Sequence, residues 1–106
     1  MRWVIYGAAQ PQLLTQILRR AGDPATILRA TSRPWASALF QGRRHDIMLR
    51  LDGTDQPGRG ARFADGLGEA EWTLKGHFVA DITLDDMGDD EAGAWLDLSA
   101  LTIEDW

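Results

Sequence analysis

The stretch His45-Asp-Ile-Met-Leu-Arg-Leu51 has the most regular pattern in the chain. Histidine, isoleucine and two leucines occupy its alternate positions, and Asp46, Met48 and Arg50 stand between them. Because successive side chains of a strand point to opposite faces of a sheet, this alternation predicts a strand with one buried face. We therefore expect a sheet, with Asp46, Met48 and Arg50 on the face turned away from the core.

A second alternating stretch covers residues 77–84 and predicts another half-buried strand. Its two faces are Phe78, Ala80, Ile82 and Leu84 on one side and His77, Val79, Asp81 and Thr83 on the other. The first set is apolar, so we place it toward the core. His77, Val79 and Asp81 are then expected on the exposed face.

The remaining elements follow from local composition and from breaks at glycine and proline. Helical spacing of apolar residues from Pro11 predicts a helix that ends at Ala21, before Gly22. Three further strands are predicted at 2–6, 25–31 and 94–103, the last with a bulge near Ala100. The segments between them are a helical turn or irregular arm at 34–41, a loop at 52–60, a short helix from Ala61 that ends at Gly66 or Gly68, and a loop at 85–91. Residues 70–74 either extend or precede the strand at 77–84.

This order of strands and helices resembles a ferredoxin-like βαββαβ sandwich, a fold of the α+β class, with an extra C-terminal edge strand. The resemblance implies an antiparallel sheet of four or five strands with two helices on one face. A chain of 106 residues has the length of one domain, so we expect 1–106 to form a single compact unit.

Composition excludes several classes of function. The chain has no cysteine, which removes disulfides, thiolate metal sites and a cysteine nucleophile. No apolar stretch approaches the roughly 20 residues that cross a bilayer. We expect a cytoplasmic protein without a membrane partner.

Charge is divided unequally along the chain. Residues 1–50 contain eight arginines and two aspartates, a balance of +6, whereas residues 51–106 contain three basic and 14 acidic residues, a balance of −11. We favour pairing of these charges within one domain; the alternative is self-association between a basic and an acidic face. Nucleic-acid binding is not expected, because the arginines lie on several elements of a protein whose net charge is −5.

Three motifs contain residue types found in metal or phosphate sites, and none of them predicts a cofactor or a metal. His45 and His77 are out of phase in their strands, so we expect them on opposite faces of the sheet. The acidic run at 85–91 lacks the alternate ligand spacing of an EF-hand, so we favour a solvated hairpin loop over a cation site. The glycine-rich segment at 53–60 has no Walker lysine, which favours a plain connection.

The exposed sheet face is the strongest candidate for function. The residues that we expect to form an interface or a ligand site there are Arg2, Tyr6, Asp46, Met48, Arg50, Val79 and Asp81. Mixed apolar and charged faces of this kind form cross-strand ion pairs, meet a second copy, or enclose a small ligand.

Two functions fit such a face. The sequence predicts a non-catalytic module that acts as a homodimer or binds a protein partner. The alternative is a ligand-binding protein or enzyme of the dimeric α+β barrel type, in which His77 would be the acid/base and an arginine would hold an anion.

Overall fold

A computed structural model describes residues 8–53 and 58–105. The predicted strand at 2–6, which includes Arg2 and Tyr6, lies outside the described residues. The described chain has two helices, one short 3₁₀ turn and four strands. Their bounds are α1 (Ala9–Ala21), β1 (Ala25–Ala36), β2 (Gln41–Asp52), α2 (Arg59–Ala64), the 3₁₀ turn (Leu67–Glu69), β3 (His77–Asp90) and β4 (Gly93–Glu104).

Helix α1 confirms the prediction for this segment. Leu13 and Ile17 are fully buried one helical turn apart, and they form the stripe that packs on the sheet. The helix ends at Gly22, whose φ of 75° is readily adopted only by a residue without a Cβ atom, and whose N–H donates to the Leu18 carbonyl.

The strands form one antiparallel sheet in the order β1-β2-β4-β3. β1 and β2 form one hairpin, and β3 and β4 form a second. The hairpins join through β2 and β4, which pair from Gly42 opposite Ile103 to Asp52 opposite Gly93. The two central strands therefore belong to different hairpins, and β1 and β3 are the edges of the sheet that the described residues form.

This topology contradicts the ferredoxin-like βαββαβ arrangement. In the described residues a helix precedes all four strands, and each hairpin joins two successive strands without a helix between them. The α+β class is correct, as are the antiparallel sheet and the placement of both helices on one face, where Leu13, Ile17 and Phe63 join the core.

The ferredoxin-like prediction failed at two segments, where strands continue beyond their expected ends. Segment 34–41 was expected to be helical or irregular, but Pro34 lies within β1. An edge strand tolerates proline, because the missing N–H can point away from the ladder. Residues 85–90 were expected to be a loop, yet they form the second half of β3. Their acidic side chains are compatible with an edge strand, where solvent is close on the outer side.

Both hairpin turns are closed by polar side chains. The Ser37 hydroxyl accepts from the N–H of Phe40 at 3.1 Å at the β1–β2 turn. A carboxylate oxygen of Asp90 accepts from the N–H groups of Ala92 and Gly93 at 2.9 and 3.1 Å at the β3–β4 turn. Short side chains that accept from nearby N–H groups are a standard means of fixing a turn.

Bulges occur on the edge strands and not at Ala100. The β1–β2 pairing slips at Leu28, and the β3–β4 pairing slips at Ala80 and Asp85, while the β2–β4 pairing is continuous. An extra residue in one strand reverses the facing of every residue beyond it. The bulge at Ala80 therefore turns His77 and Val79 to the helix-covered side and Phe78 to the other, opposite to the sequence prediction.

The core lies between the helices and one face of the sheet. Its buried members on β2 and β4 are Ile47, Leu49, Leu51, Leu96, Leu98 and Ala100. The odd-numbered residues of 45–51 are all buried, which confirms the pattern that identified this strand.

Arg59 and Arg20 connect the two helices, because each donates hydrogen bonds to backbone carbonyls at the end of the other helix. Arg59 is buried, and its guanidinium donates to the carbonyls of Ala21, Gly22, Pro24 and Asp52 at 2.8 to 3.0 Å. Arg20 donates to the carbonyls of Phe63 and Asp65, with its guanidinium 5.5 Å from the Phe63 ring centre. A cation at a helix C-terminus satisfies free carbonyls and opposes the helix dipole. Each helix therefore ends against an arginine from the other.

Candidate interaction surface on the open sheet face

The sheet face opposite the helices is the candidate functional surface, and we call it the open face. From Gly42 to Arg50, each residue of β2 that faces it has a partner on β1 and one on β4, and each β4 residue that faces it has a partner on β3. Reading from β1 to β3, four successive rows are Arg33, Arg44, Leu101 and Asp81; Thr31, Asp46, Ser99 and Thr83; Arg29, Met48, Asp97 and Asp86; and Thr26, Arg50, Trp95 and Gly88.

Charge on the open face is divided between its two halves. The half formed by β1 and β2 has four arginines, Arg29, Arg33, Arg44 and Arg50, together with Asp46 and Asp52. The half formed by β4 and β3 has only acidic charges, because these two strands contain no lysine or arginine. The open face therefore has a mainly positive side along β1 and β2 and a negative side along β4 and β3.

Apolar side chains occupy the middle of the face. Met48, Leu101 and Trp95 stand on the two central strands and are half-buried. The Trp95 ring lies over Gly88, where an added Cβ atom would come within 2.7 Å of the ring. A glycine at this position lets the indole cover the backbone of the edge strand.

Some of the charges are paired within the chain. Arg50 donates to Asp90 at 2.7 Å, which ties the β2 strand to the end of β3 beside Trp95. The Arg50 Nε atom is buried without a hydrogen-bond partner. Arg33 and Asp46 approach to 3.5 Å, with side chains 66% and 50% exposed. A pair as exposed as this contributes little to stability.

Other charges of the open face have no ion pair within the described part of the chain. Arg29 and Arg44 on the basic half have no such partner, and neither do Asp81 and Asp97 on the acidic half. The Asp86 carboxylate accepts only from the N–H of Met87, at 2.9 Å. The internal pairing that we favoured from sequence therefore satisfies only part of the face.

The structure distributes the residues predicted for this site over both faces. Asp46, Met48, Arg50 and Asp81 share the open face, as their rows show. Val79 instead packs against the core, because the bulge at Ala80 reverses its facing. Arg2 and Tyr6 lie outside the described residues.

The candidate acid/base His77 begins β3, opposite Glu104, on the helix-covered side. Arg50 is opposite Trp95, nine residues along β4 from Glu104, or about 30 Å at ~3.3 Å per residue. The described residues therefore do not bring His77 together with Arg50. Arg2, the other predicted anion holder, is outside them.

His45 lies on the same side of the sheet as His77, in contrast to the expectation of opposite faces. Its Nδ1 atom is 3.0 Å from the Gln10 amide oxygen and its Nε2 atom is 2.8 Å from the Thr102 hydroxyl. A neutral ring that donates from Nδ1 and accepts at Nε2 satisfies both partners. Burial, followed by the nearby charges of Arg43 and His77, lowers the pKa of His45 to about 4. This buried network keeps His45 neutral.

A cavity lies at the opposite end of the helix-covered side, beside α2. It encloses about 460 Å³, and its lining includes Met87, Asp89, Asp90, Arg59 and Gly60. The Arg59 guanidinium already binds four carbonyls. Asp90 is likewise engaged by Arg50 and by its own turn. These two charged groups are therefore already committed to structural contacts.

Sequence reasoning missed Arg29, Arg33, Arg44, Trp95, Asp86 and Asp97 as members of the open face. Arg33 was overlooked because β1 was expected to end at residue 31, and Arg29 reaches the open face only through the bulge at Leu28. The opposite charges of the two halves of the sequence were the signal that could have found this set. The topology places residues 25–52 on one half of the sheet and residues 77–104 on the other.

Comparison with known proteins gives no relative from which a function could be transferred. The chain matches no protein-family model, no curated protein and no solved structure. Neither helix of the described chain is long and apolar enough to span a membrane.

Proposed function

We propose that this protein is a non-catalytic, cytoplasmic association module that forms a homodimer through its open face. The observation that carries the proposal is the charge division of that face, with basic and acidic halves on either side of an apolar middle. Charges of opposite sign on one surface favour a second copy, since each copy supplies both halves of the match.

The size of the face supports the same proposal. Four strands at ~4.8 Å spacing and 12 residues at ~3.3 Å each give a footprint of about 750 Å². A stable interface between proteins covers about 800 Å² on each partner. The open face is therefore large enough to hold two copies together.

Met48 offers a direct test, because it is half-buried in the centre of the face between Arg29 and Asp97. In the Met48→Glu variant the new carboxylate has one favourable and one unfavourable neighbour, so the monomer is expected to remain folded. A dimer held through the open face should dissociate, because a charge would be buried at its centre. Sedimentation velocity of the wild type and the variant measures this directly.

The matched control is Met87→Glu, since Met87 is also an exposed methionine but lies on the helix-covered side of the sheet. A wild-type dimer that dissociates with Met48→Glu and persists with Met87→Glu supports the proposal. A monomeric wild type, or a dimer unaffected by Met48→Glu, would overturn it. Circular dichroism of each variant confirms that the fold is retained.

A further inference from the structure

We infer that the two copies stack open face to open face about a two-fold axis that runs along the strands, with Arg29 of each copy against Asp86 of the other. This inference rests on the proposed function and adds the orientation of the dimer and its main ion pair. The argument depends on how the charges are arranged across the strands.

The two-fold axis lies in the plane between the two stacked sheets, either perpendicular to the strands or along them. These two directions bring different charges together. An axis perpendicular to the strands would place β1 over β1 and β3 over β3, so that arginines face arginines and aspartates face aspartates. An axis along the strands places β1 of one copy over β3 of the other. Like charges in contact across an interface are strongly unfavourable, so the charge division selects the second direction.

The rows of the open face then match residue by residue. An axis along the strands places each row opposite the same row of the second copy, with the order of the four strands reversed. Arg29 meets Asp86, and Met48 meets Asp97 in the central row. In the row that begins with Arg33, two rows away, Arg33 of one copy lies opposite Asp81 of the other, and Arg44 lies opposite Leu101. Stacked sheets keep their strands within about 30° of each other, so the central rows remain in contact despite the twist.

Arg29 and Asp86 are suited to pair between copies and not within one. They stand on the two edge strands, three strand spacings apart, which is about 14 Å at ~4.8 Å per spacing. Both side chains are exposed, and neither has an ion pair among the described residues. An arginine that reaches a carboxylate across the stack can form a two-pronged hydrogen bond.

Charge reversal of one member at a time tests the pairing. Arg29→Asp sets the new carboxylate against Asp86 at both symmetric positions, and Asp86→Arg sets the new guanidinium against Arg29 at both. Each variant alone is expected to raise the dimer Kd at least ~10-fold, because the repulsion occurs twice. Mixing the two variants restores an arginine–aspartate pair at both positions of a heterodimer, whose Kd should return to within ~3-fold of the wild type. Native mass spectrometry separates the heterodimer from either homodimer by mass.

The matched controls are Arg19→Asp and Glu69→Arg, which make the same charge changes at exposed positions on the helix-covered side. Neither control should change the dimer Kd by more than ~2-fold, and mixing them should give no preference for the heterodimer. The Arg33→Asp and Asp81→Arg variants provide a second pair with the same expected behaviour, should either first variant not fold.

The outcomes distinguish the orientation of the dimer from the proposal that a dimer forms through the open face. A wild-type dimer that dissociates with Met48→Glu but tolerates each charge reversal, or that shows no heterodimer preference on mixing, overturns the orientation and leaves the association module intact. A monomeric wild type overturns both. Selective heterodimer formation establishes the axis along the strands, since the perpendicular axis never brings Arg29 to Asp86.

Discussion

At the scale of single residues, the buried side chain of Arg59 stabilises the fold through hydrogen bonds to backbone carbonyls. The four carbonyls that Arg59 binds belong to the end of α1, the turn after it and the end of β2. One side chain therefore joins residues 21–24 to the end of β2. The sequence gives no sign of this role, because Arg59 stands in a glycine-rich stretch that is typical of a loop.

Replacement of Arg59 by alanine should destabilise the protein by about 2–4 kcal/mol, since four carbonyls would lose their donor in a buried site. Urea unfolding measures the change. Arg19→Ala is the control, because Arg19 is an exposed arginine in the last turn of α1, the helix whose terminal carbonyl Arg59 binds. Equal stability of the two variants would contradict the role that we assign to Arg59.

His45 should make stability depend on pH. Its pKa falls from 6.5 in the unfolded chain to about 4 in the folded protein, so the unfolded state binds the proton first as the pH decreases. The stabilisation is complete above pH 6.5 and is lost as the pH falls toward 4. The loss between pH 7 and pH 5 is about 2 kcal/mol, at ~1.4 kcal/mol per pH unit.

The His45→Asn variant isolates this contribution from that of the carboxylates. It should be less stable than the wild type at pH 7, because the Gln10 and Thr102 contacts are altered. Its free energy of unfolding should also decrease about 2 kcal/mol less between pH 7 and pH 5. Parallel pH profiles for the two proteins would show that His45 does not titrate as described.

At the scale of elements, the long hairpins set the shape of the sheet. β2 and β4 approach closely at both ends of their pairing, where Gly42 and Gly93 stand opposite Ile103 and Asp52. A Cβ atom on Gly42 would lie 1.9 Å from the Thr102 carbonyl oxygen. Because this contact is with backbone, rotation of a side chain cannot relieve it.

The Gly42→Ala variant should therefore lose about 3 kcal/mol of stability or more, since the two central strands would have to separate locally. Gly68→Ala is the matched control: no atom lies within 4 Å of its added Cβ, and its φ is not positive. We expect that control to be neutral or slightly stabilising. Thermal unfolding of both variants gives the comparison, and a Gly42→Ala protein as stable as the control would exclude the close approach.

At the scale of the whole molecule, the sheet separates the two charge-rich halves of the chain without interleaving them. The β1–β2 hairpin carries five of the eight arginines of the first half, and the β3–β4 hairpin carries eight of the 14 acidic residues of the second. The molecule is elongated, 51 by 24 by 22 Å. Its open face therefore has a charge division along its full length, which is the basis of the proposed association.

Dimerisation should weaken with salt if these charges orient the two copies. The screening length falls from about 10 Å at ~0.1 M to about 3 Å at ~1 M. We expect the dimer Kd to rise about 10-fold over this range, measured by sedimentation equilibrium in NaCl. A Kd that is unchanged or lower at high salt would assign the association to apolar contact alone.

The sequence by itself determined the half-buried strand at 45–51, helix α1 with its end at Gly22, and the unequal charge of the two halves. Each of these depends on neighbours along the chain, such as side-chain alternation, helical spacing or composition. The same local signals misplaced 34–41 and 85–91, because proline and clustered aspartates also suit edge strands.

Only the tertiary structure decided the strand order, the facing of His77 and Val79, and the partners of Arg59 and His45. Strand order depends on which hairpin meets which, and facing depends on a single bulge residue whose effect passes to every residue beyond it. The open face arises at this level as well. Its rows join residues that are far apart in the chain, and pairing across such separations is set by packing and not by local pattern.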